Sequence, residues 1–282
     1  IKYLQLEANE FNSLGYFVDE HTTEILDLYL SNISIDEYIN NYNEFFSSLA
    51  EGYTSIFLKE LKKNLTNKIF RSAKLEKENG AISDKDRLDN IEASMKSAYY
   101  MYIRYLQNHL SELSKGRQAA VFFFIREFCY SSMFRYNAKG EFNVPYGGIS
   151  YNRKDFQKKI NYLFSNEMIS KLANTDIHCE DFETFIENLN LTEDDFIFLD
   201  PPYDSDFSTY AQNEFGHEEQ IRLCECLKRT PAKILLIIKS TDFIYDLYNN
   251  EHFNITSFDK KYMVSFMNRN NKDVEHLVIT NY

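Results

Sequence analysis

Four consecutive residues, Asp200, Pro201, Pro202 and Tyr203, have the types and spacing to handle an amino group. They directly follow residues 196–199, a short apolar run that predicts a buried strand. The two prolines fix two φ angles and remove two N–H donors, which leaves the Asp200 carboxylate and the nearby carbonyl groups as a rigid row of acceptors. Clefts in open α/β sheets lie at the carboxyl ends of strands, so this is a natural position for chemistry on an amino group.

Other acidic residues stand where a helix is predicted to begin. Residues 16–18 predict a short strand that ends at Asp19 and Glu20, and residues 22–30 have helical spacing. A carboxylate after a strand holds ribose hydroxyls in nucleotide-type folds, although an acidic helix N-cap explains the same pattern. Asp181 and Phe182 precede another helical segment, where the carboxylate could accept a hydrogen bond from an adenine amino group; an N-cap is again the alternative.

A basic segment interrupts this acidic chain. Between residues 115 and 160, nine Lys or Arg residues face three Asp or Glu, whereas the net charge of the chain is −12. Such an island is a localised phosphate footprint or, alternatively, a solvated basic face without function. Residues 137–140 have the composition of a turn, and Gly147 and Gly148 allow a second reversal, so we predict a hairpin near residues 135–148. A hairpin of this composition can place donors and a stacking ring against a duplex groove.

Together these residues resemble the Dam-like DNA adenine-N6 methyltransferases, the α-group enzymes that use S-adenosylmethionine. The resemblance is carried by residues 200–203 (Asp-Pro-Pro-Tyr), by residues 142–147 (Phe-Asn-Val-Pro-Tyr-Gly) after the predicted hairpin, and by Asp181 and Phe182. The aromatic residues Phe207, Tyr210 and Phe215, followed by residues 219–223, resemble the loop and helix that come after the catalytic motif. Residues 16–45 and 130–282 take part in the resemblance, and residues 46–129 do not.

The resemblance implies a role for each matched residue. In the catalytic set Asp200, Pro201, Pro202 and Tyr203, the Asp200 carboxylate and the Pro201 carbonyl would accept the N6 hydrogens of an adenine rotated out of the duplex, and Tyr203 would stack on it. Residues expected to bind S-adenosylmethionine are Asp19, Glu20, Asp181, Phe182 and Asp200. Residues expected to contact DNA are Arg135, Asn137, Lys139, Asn143 and Tyr146, with Lys115, Arg117 and Arg126 as further phosphate contacts.

One departure from the family concerns its cofactor loop. Members carry a Gly-rich loop of the Phe-x-Gly-x-Gly kind before the ribose-binding acid, and this chain contains no Gly-x-Gly. The first four residues, Ile-Lys-Tyr-Leu, resemble the beginning of the family's most N-terminal motif, but Gln5 follows where Gly is expected. We expect that the sequence omits a stretch around or before its first few residues.

The composition is that of a soluble globular protein. Of 282 residues, 44% are hydrophobic and 26% are charged, and no apolar run approaches the roughly 18 residues of a membrane span. The four cysteines follow no disulfide pattern and the N-terminus shows no secretory signal, so we predict a cytoplasmic protein. Cys224 and Cys226 are predicted to be small buried thiols, and the six histidines have no metal spacing, so no metal site is expected.

We therefore predict an α/β fold, a class I methyltransferase doubly wound mixed sheet with an inserted, mainly helical DNA-recognition domain. Residues 1–45 and 165–282 would form the catalytic domain and residues 46–164 the target-recognition domain. The predicted function is site-specific methylation of adenine N6 in double-stranded DNA, with S-adenosylmethionine as cofactor and a cognate restriction endonuclease as a candidate partner. The alternatives are a methyltransferase-like recognition subunit without its own cofactor binding, and an adenine methyltransferase acting on RNA.

Overall fold

The computed structural model describes residues 1–50, 52–203, 215–261 and 273–282. Phe207 and Tyr210 lie outside the described residues. The chain divides into two compact units, Ile1–Asn174 and Thr175–Tyr282. Residues 1–45 and 165–174, which we predicted to belong to the catalytic domain, lie in the first unit.

The first unit is built from helices. They are α1 (Lys2–Glu20), α2 (Thr22–Tyr29), α3 (Ile35–Asn41), α4 (Asn43–Ser48), α5 (Thr54–Asn79), α6 (Asp84–Gln107), α7 (Lys115–Phe128), α8 (Phe156–Leu163) and α9 (Asn166–Ala173), with short 3-10 helices at Leu110–Glu112, Tyr130–Ser132 and Ile149–Tyr151. Helix α5 ends at Gly80, whose φ of 90° is favoured by glycine, and α6 begins after the N-cap Ser83. Helix α6 packs against α1, α2, α5 and α7 and forms the centre of this unit.

The strand predicted over residues 16–18 is wrong, because these residues lie in α1. The apolar residues Ala8, Phe11, Leu14 and Val18 are buried on one face of this helix, whereas Tyr16 is 69% exposed. Their separation of three to four residues is the helical period, and it extends beyond the apolar triplet that suggested a strand. Tertiary packing of the whole 19-residue segment therefore outweighs the local β propensity of the triplet.

A polar cluster lies within the core of the helical unit. The Tyr99 hydroxyl donates to Glu7 Oε2 at 2.5 Å and also reaches Glu10, and both carboxylates are buried. Arg117 Nη2 lies 3.6 Å from Glu7 Oε1 and donates to the Tyr102 hydroxyl at 3.1 Å. Burial, and then the two carboxylates, raise the pKa of Tyr99 well above its ordinary value. These contacts compensate for burying charged groups between α1, α6 and α7.

The second unit combines helices with a mixed sheet. Its elements are α10 (Phe182–Asn188), β1 (Phe196–Leu199), α11 (His217–Arg229), β2 (Lys233–Lys239), α12 (Asp242–Tyr248), β3 (Asn254–Lys261) and β4 (Asp273–Thr280). The strand order is β1-β2-β4-β3, in which β1 and β2 are parallel and the remaining pairs are antiparallel. A mixed α/β fold is therefore confirmed, and its last two strands, β3 and β4, are antiparallel to each other.

One face of the sheet packs against the helices. Alternate residues of β2, Ile234, Leu236 and Ile238, are fully buried in a cluster that includes residues of α11 and α12. Phe196 and Phe198 of β1 are 56% and 59% exposed, and β1 is paired on one side only among the described strands.

The structure also bears on the cysteines, on metal-binding clusters and on membrane-spanning helices. Cys224 and Cys226 are both buried, and burial raises the pKa of the Cys224 thiol to about 11. Within the described ranges, no cluster of three or more His, Cys, Asp or Glu residues is arranged to hold a metal ion. No helix in those ranges combines the length and the hydropathy needed to cross a bilayer.

Candidate active site and nucleic-acid interface

The Asp-Pro-Pro-Tyr segment begins where β1 ends. Asp200 follows Leu199 directly and is exposed, so its carboxylate is accessible at the carboxyl end of a strand that has a parallel neighbour. Gln220, which is fully buried on α11, donates from Nε2 to the Pro202 carbonyl oxygen at 2.9 Å. Neither proline has an N–H to anchor its backbone, so this side-chain bond helps to fix the segment.

Tyr203 is half-buried and is held against β4. Its hydroxyl lies 3.3 Å from Nε2 of His276, and the two ring centroids are 5.4 Å apart at an interplanar angle of 72°. His276 is fully buried. The motif is thus supported from two elements, α11 and β4, that are remote from it in sequence.

Asp181 is the N-cap of α10, where its Oδ1 accepts from the N–H groups of Glu183 and Thr184. Its Oδ2 accepts from Arg222, whose guanidinium lies over the Phe182 ring at 4.6 Å. Desolvation by itself raises the pKa of Asp181, but the bonds from Arg222 and the two N–H groups outweigh it and hold that pKa below its ordinary value. Asp181 is therefore an N-cap, as the alternative interpretation predicted. Arg222 contacts both the Asp181 carboxylate and the Phe182 ring, the two groups that we expected to bind the cofactor.

Asp19 and Glu20 lie in the last turn of α1, and both are exposed. Carboxylates at the C-terminal end of a helix face the negative end of its dipole, so the helix itself does not favour them there. Glu20 lines an open cleft of about 350 Å³ together with the aromatic residues Tyr16, Phe17, Tyr42 and Phe45.

Residues 135–143 form a tight hairpin. Tyr136 and Phe142 are an antiparallel bridge pair, and Asn137 N–H donates to the Glu141 carbonyl at 2.9 Å. The Asn137 side chain shapes the turn: its Oδ1 accepts from the N–H groups of Lys139 and Glu141 at 2.9 and 3.0 Å. Gly140 has a φ of 78°, which explains a glycine at this position.

Two polar side chains of α6 and that of its C-cap residue, Asn108, hold this hairpin and its continuation. Asn108 makes two bonds to Phe142: its Oδ1 accepts from the N–H at 2.8 Å and its Nδ2 donates to the carbonyl at 3.1 Å. Tyr100 donates to the Val144 carbonyl at 2.9 Å, and Arg104 lies 3.3 Å from the Asn143 carbonyl. Positions 100, 104 and 108 share one helix face, a polar spacing of four that sequence reasoning could have used and missed.

The residues expected to contact DNA fall into two groups. Lys115, Arg126, Arg135 and Lys139 are exposed, Asn137 and Asn143 are half-buried, and Arg135 Nε donates to Asn143 Oδ1 at 3.1 Å. Arg117 and Tyr146 are instead only 8% exposed. Arg117 interacts with Glu7, and the Tyr146 hydroxyl donates to Asn152 Oδ1 at 3.0 Å, so both residues have structural roles inside the helical unit.

Comparison with known proteins identifies relatives over most of this chain. The model of the D12 class of N6 adenine-specific DNA methyltransferases matches residues 26–264. A type II methyltransferase of Paramecium bursaria Chlorella virus NC1A is 38% identical over 167 residues, which are 58% of this chain and 61% of that protein. A type II methyltransferase of Methanocaldococcus jannaschii is 33% identical over 202 residues, 68% of this chain and 66% of that protein.

A DNA adenine methylase of Haemophilus influenzae is 30% identical over 145 residues, 48% of each protein. The alignments with these three relatives thus span less than two thirds of the relatives' own length.

Proposed function

We propose that this chain, which belongs to the D12 class of N6 adenine-specific DNA methyltransferases, transfers a methyl group to N6 of an adenine rotated out of duplex DNA. The observation that carries the proposal is the exposed Asp200 at the carboxyl end of β1, followed by a Pro-Pro-Tyr segment that is fixed through Gln220 and His276. An amino group needs hydrogen-bond acceptors, and this segment presents a carboxylate and carbonyl oxygens without competing proline N–H donors.

The roles proposed for the segment follow from its chemistry. The Asp200 carboxylate and the Pro201 carbonyl accept hydrogen bonds from the two N6 hydrogens. These two bonds orient the amino group so that its nitrogen lone pair faces the methyl group. Tyr203 stacks on the base, which compensates for part of the lost stacking in the duplex. Pro202 keeps the turn rigid and presents its carbonyl to Gln220. Positioning of this kind supplies much of the rate enhancement without a covalent intermediate.

S-adenosylmethionine, the methyl donor implied by the family, supplies an electrophilic sulfonium methyl group when bound. The proposal that Asp19 and Glu20 bind its ribose hydroxyls loses its basis, because residues 16–18 lie in α1 and form no strand; we therefore do not assign these two carboxylates to the cofactor. We assign Asp181 and Phe182 to its adenine, where the acceptor and the ring that now contact Arg222 would receive an amino group and a base. Arg222 must then move or share these groups.

For DNA binding we propose the hairpin within residues 135–148 as the recognition element of the helical unit, and we propose that the sheet of the second unit belongs to a class I methyltransferase fold. Arg135, Lys139 and Arg126 are exposed cations suited to phosphate, and Asn137 and Asn143 lie on the same hairpin. We leave Arg117 and Tyr146 out of the proposed contacts because they are buried. Two relatives are named type II methyltransferases, so a cognate endonuclease for the same site is a proposed partner.

The test is base-resolved sequencing of DNA from a host that expresses the chain, compared with the Asp200→Ala variant. We expect N6-methyladenine at one short recognition sequence, its loss in D200A, and unchanged DNA affinity of the purified variant. Asp194→Ala, a neighbouring exposed carboxylate, is the matched control and should methylate normally. Methylation retained in D200A would contradict the assigned role of Asp200.

Calorimetric titration of the purified chain with S-adenosylmethionine separates this proposal from a recognition subunit without its own cofactor binding. Binding supports an enzyme. DNA binding without cofactor binding would instead support the recognition subunit. Family membership favours the enzyme.

A further inference from the structure

His276 is a buried polar residue on β4, an inner strand of the sheet, and it lies outside the sequence motifs described above. It lies on β4, which is paired with β2 on one side and with β3 on the other, so its backbone is fixed by two strands. Its ring is fully buried and stacks on Phe258 of β3, with centroids 5.6 Å apart at 30°. A buried imidazole held in this way has little freedom to change orientation.

This ring also contacts the Asp-Pro-Pro-Tyr segment. His276 Nε2 lies 3.3 Å from the Tyr203 hydroxyl, and the rings meet edge to face. Tyr203 follows two prolines in a short segment after β1. Tyr203 lies outside the strands, so no strand pairing fixes its backbone, although its ring packs against the core of the second unit. Because His276 is fixed in β4, its contact with the Tyr203 hydroxyl restricts rotation of the Tyr203 side chain.

We propose that His276 is a positioning residue for methyl transfer, which fixes the Tyr203 ring in the orientation that stacks on the flipped base. This inference rests on the function proposed above. A tyrosine that can rotate would stack the base in several poses, and only some of them present N6 correctly to Asp200. His276 touches neither the base nor the methyl donor and acts through Tyr203.

The simpler explanation is that His276 only fills the core. Three variants distinguish it from positioning. Tyr203→Phe removes the hydroxyl and leaves the stacking ring and the core intact. His276→Leu removes the partner, and His276→Gln places an amide near the position of Nε2. Tyr245→Phe, an exposed tyrosine on α12, is the matched control.

The experiment measures single-turnover methyl transfer on a duplex that contains the recognition sequence found by base-resolved sequencing. It also measures DNA affinity and thermal unfolding. We expect Y203F and H276L each to slow transfer by about threefold to tenfold, the range given by one neutral hydrogen bond. The double variant Y203F/H276L should be no slower than either single variant, H276Q should recover most of the rate, and Y245F should match the wild type.

A second readout does not depend on turnover. The duplex carries 2-aminopurine, a fluorescent adenine analogue quenched by stacking, at the target position. Bound Y203F and H276L should give brighter emission than the bound wild type, at equal DNA affinity. Rate losses that multiply in the double variant, or emission equal to that of the wild type, would overturn the positioning role. If the wild-type chain transfers no methyl group at all, the proposed function fails and the positioning role fails with it.

Discussion

Replacing Asn108 by Ala should loosen the hairpin from α6 without touching its exposed cations. The change removes both bonds to the Phe142 backbone, at 2.8 and 3.1 Å. A net contribution of about 0.5–1.5 kcal/mol for each bond gives an expected loss of about 1–3 kcal/mol in the free energy that holds the hairpin in place. Asn108→Asp retains an acceptor for the Phe142 N–H but loses the donor, and it adds a negative charge at the helix C-terminus, so it should recover little of the loss.

Amide hydrogen exchange at Phe142 is the direct assay, because its N–H donates to the replaced side chain. A loss of about 1–3 kcal/mol corresponds to exchange faster by about 5-fold to 160-fold when local opening governs it. Fluorescence anisotropy should show weaker DNA binding in the same variant. Asn40→Ala, an exposed asparagine of α3, is the matched control and should change neither quantity. Unchanged exchange at Phe142 in N108A would refute the view that α6 positions the hairpin.

Three further predictions address the hairpin, its continuation and the α10 cap. Lys139→Ala should reduce the slope of log affinity for DNA against log salt concentration by about 1, measured by anisotropy titrations, if Lys139 contacts a phosphate. Gly147→Ala should lower the free energy of urea unfolding by about 1–3 kcal/mol, because a Cβ would lie 2.4 Å from the Tyr151 ring. Asp181 has a lowered folded-state pKa, so it stabilises the fold above its unfolded-state pKa, about 3.9, and this contribution is lost as pH falls through the folded value. Asp181→Asn should therefore flatten the acid limb of the thermal unfolding profile; an acid limb identical to that of the wild type would contradict the role of the Arg222 pair.

How far the sequence predicts this molecule depends on the distance between interacting residues. The Asp-Pro-Pro-Tyr motif is contiguous, and β1 before it was predicted at Phe196–Leu199, the residues observed. The prediction that this strand is buried was wrong, because Phe196 and Phe198 are exposed. Gln220 and His276 support the motif from 18 and 73 residues away, and nothing local marks them as its partners. Only the three-dimensional packing of α11 and β4 brings them there.

Residue type alone also does not show whether a charged or aromatic side chain is exposed. Arg117 and Tyr146 have the residue types of DNA contacts, but both are buried within the first unit. Some cations of the basic segment also have partners within the protein: Lys154 donates to the Glu127 carbonyl, and Lys159 pairs with the Glu127 carboxylate at 2.5 Å. Burial of individual cations cannot be read from a count of charges, and it decides how much of that charge is available to phosphate.

The open side of β1 has a consequence for how the protein behaves in concentrated solution. Among the described strands only β2 pairs with β1, so the other edge of β1, with exposed Phe196 and Phe198, offers backbone groups and apolar surface to another chain. The strand is only four residues long, acidic residues 193–195 precede it, and the chain carries a net charge of −12. The short strand offers few backbone groups for pairing, and the negative charges make two copies of the chain repel each other. Added salt shortens the screening length to about 8–10 Å near physiological strength and so weakens that protection, which makes dilute, low-salt buffer the colloidally safer condition.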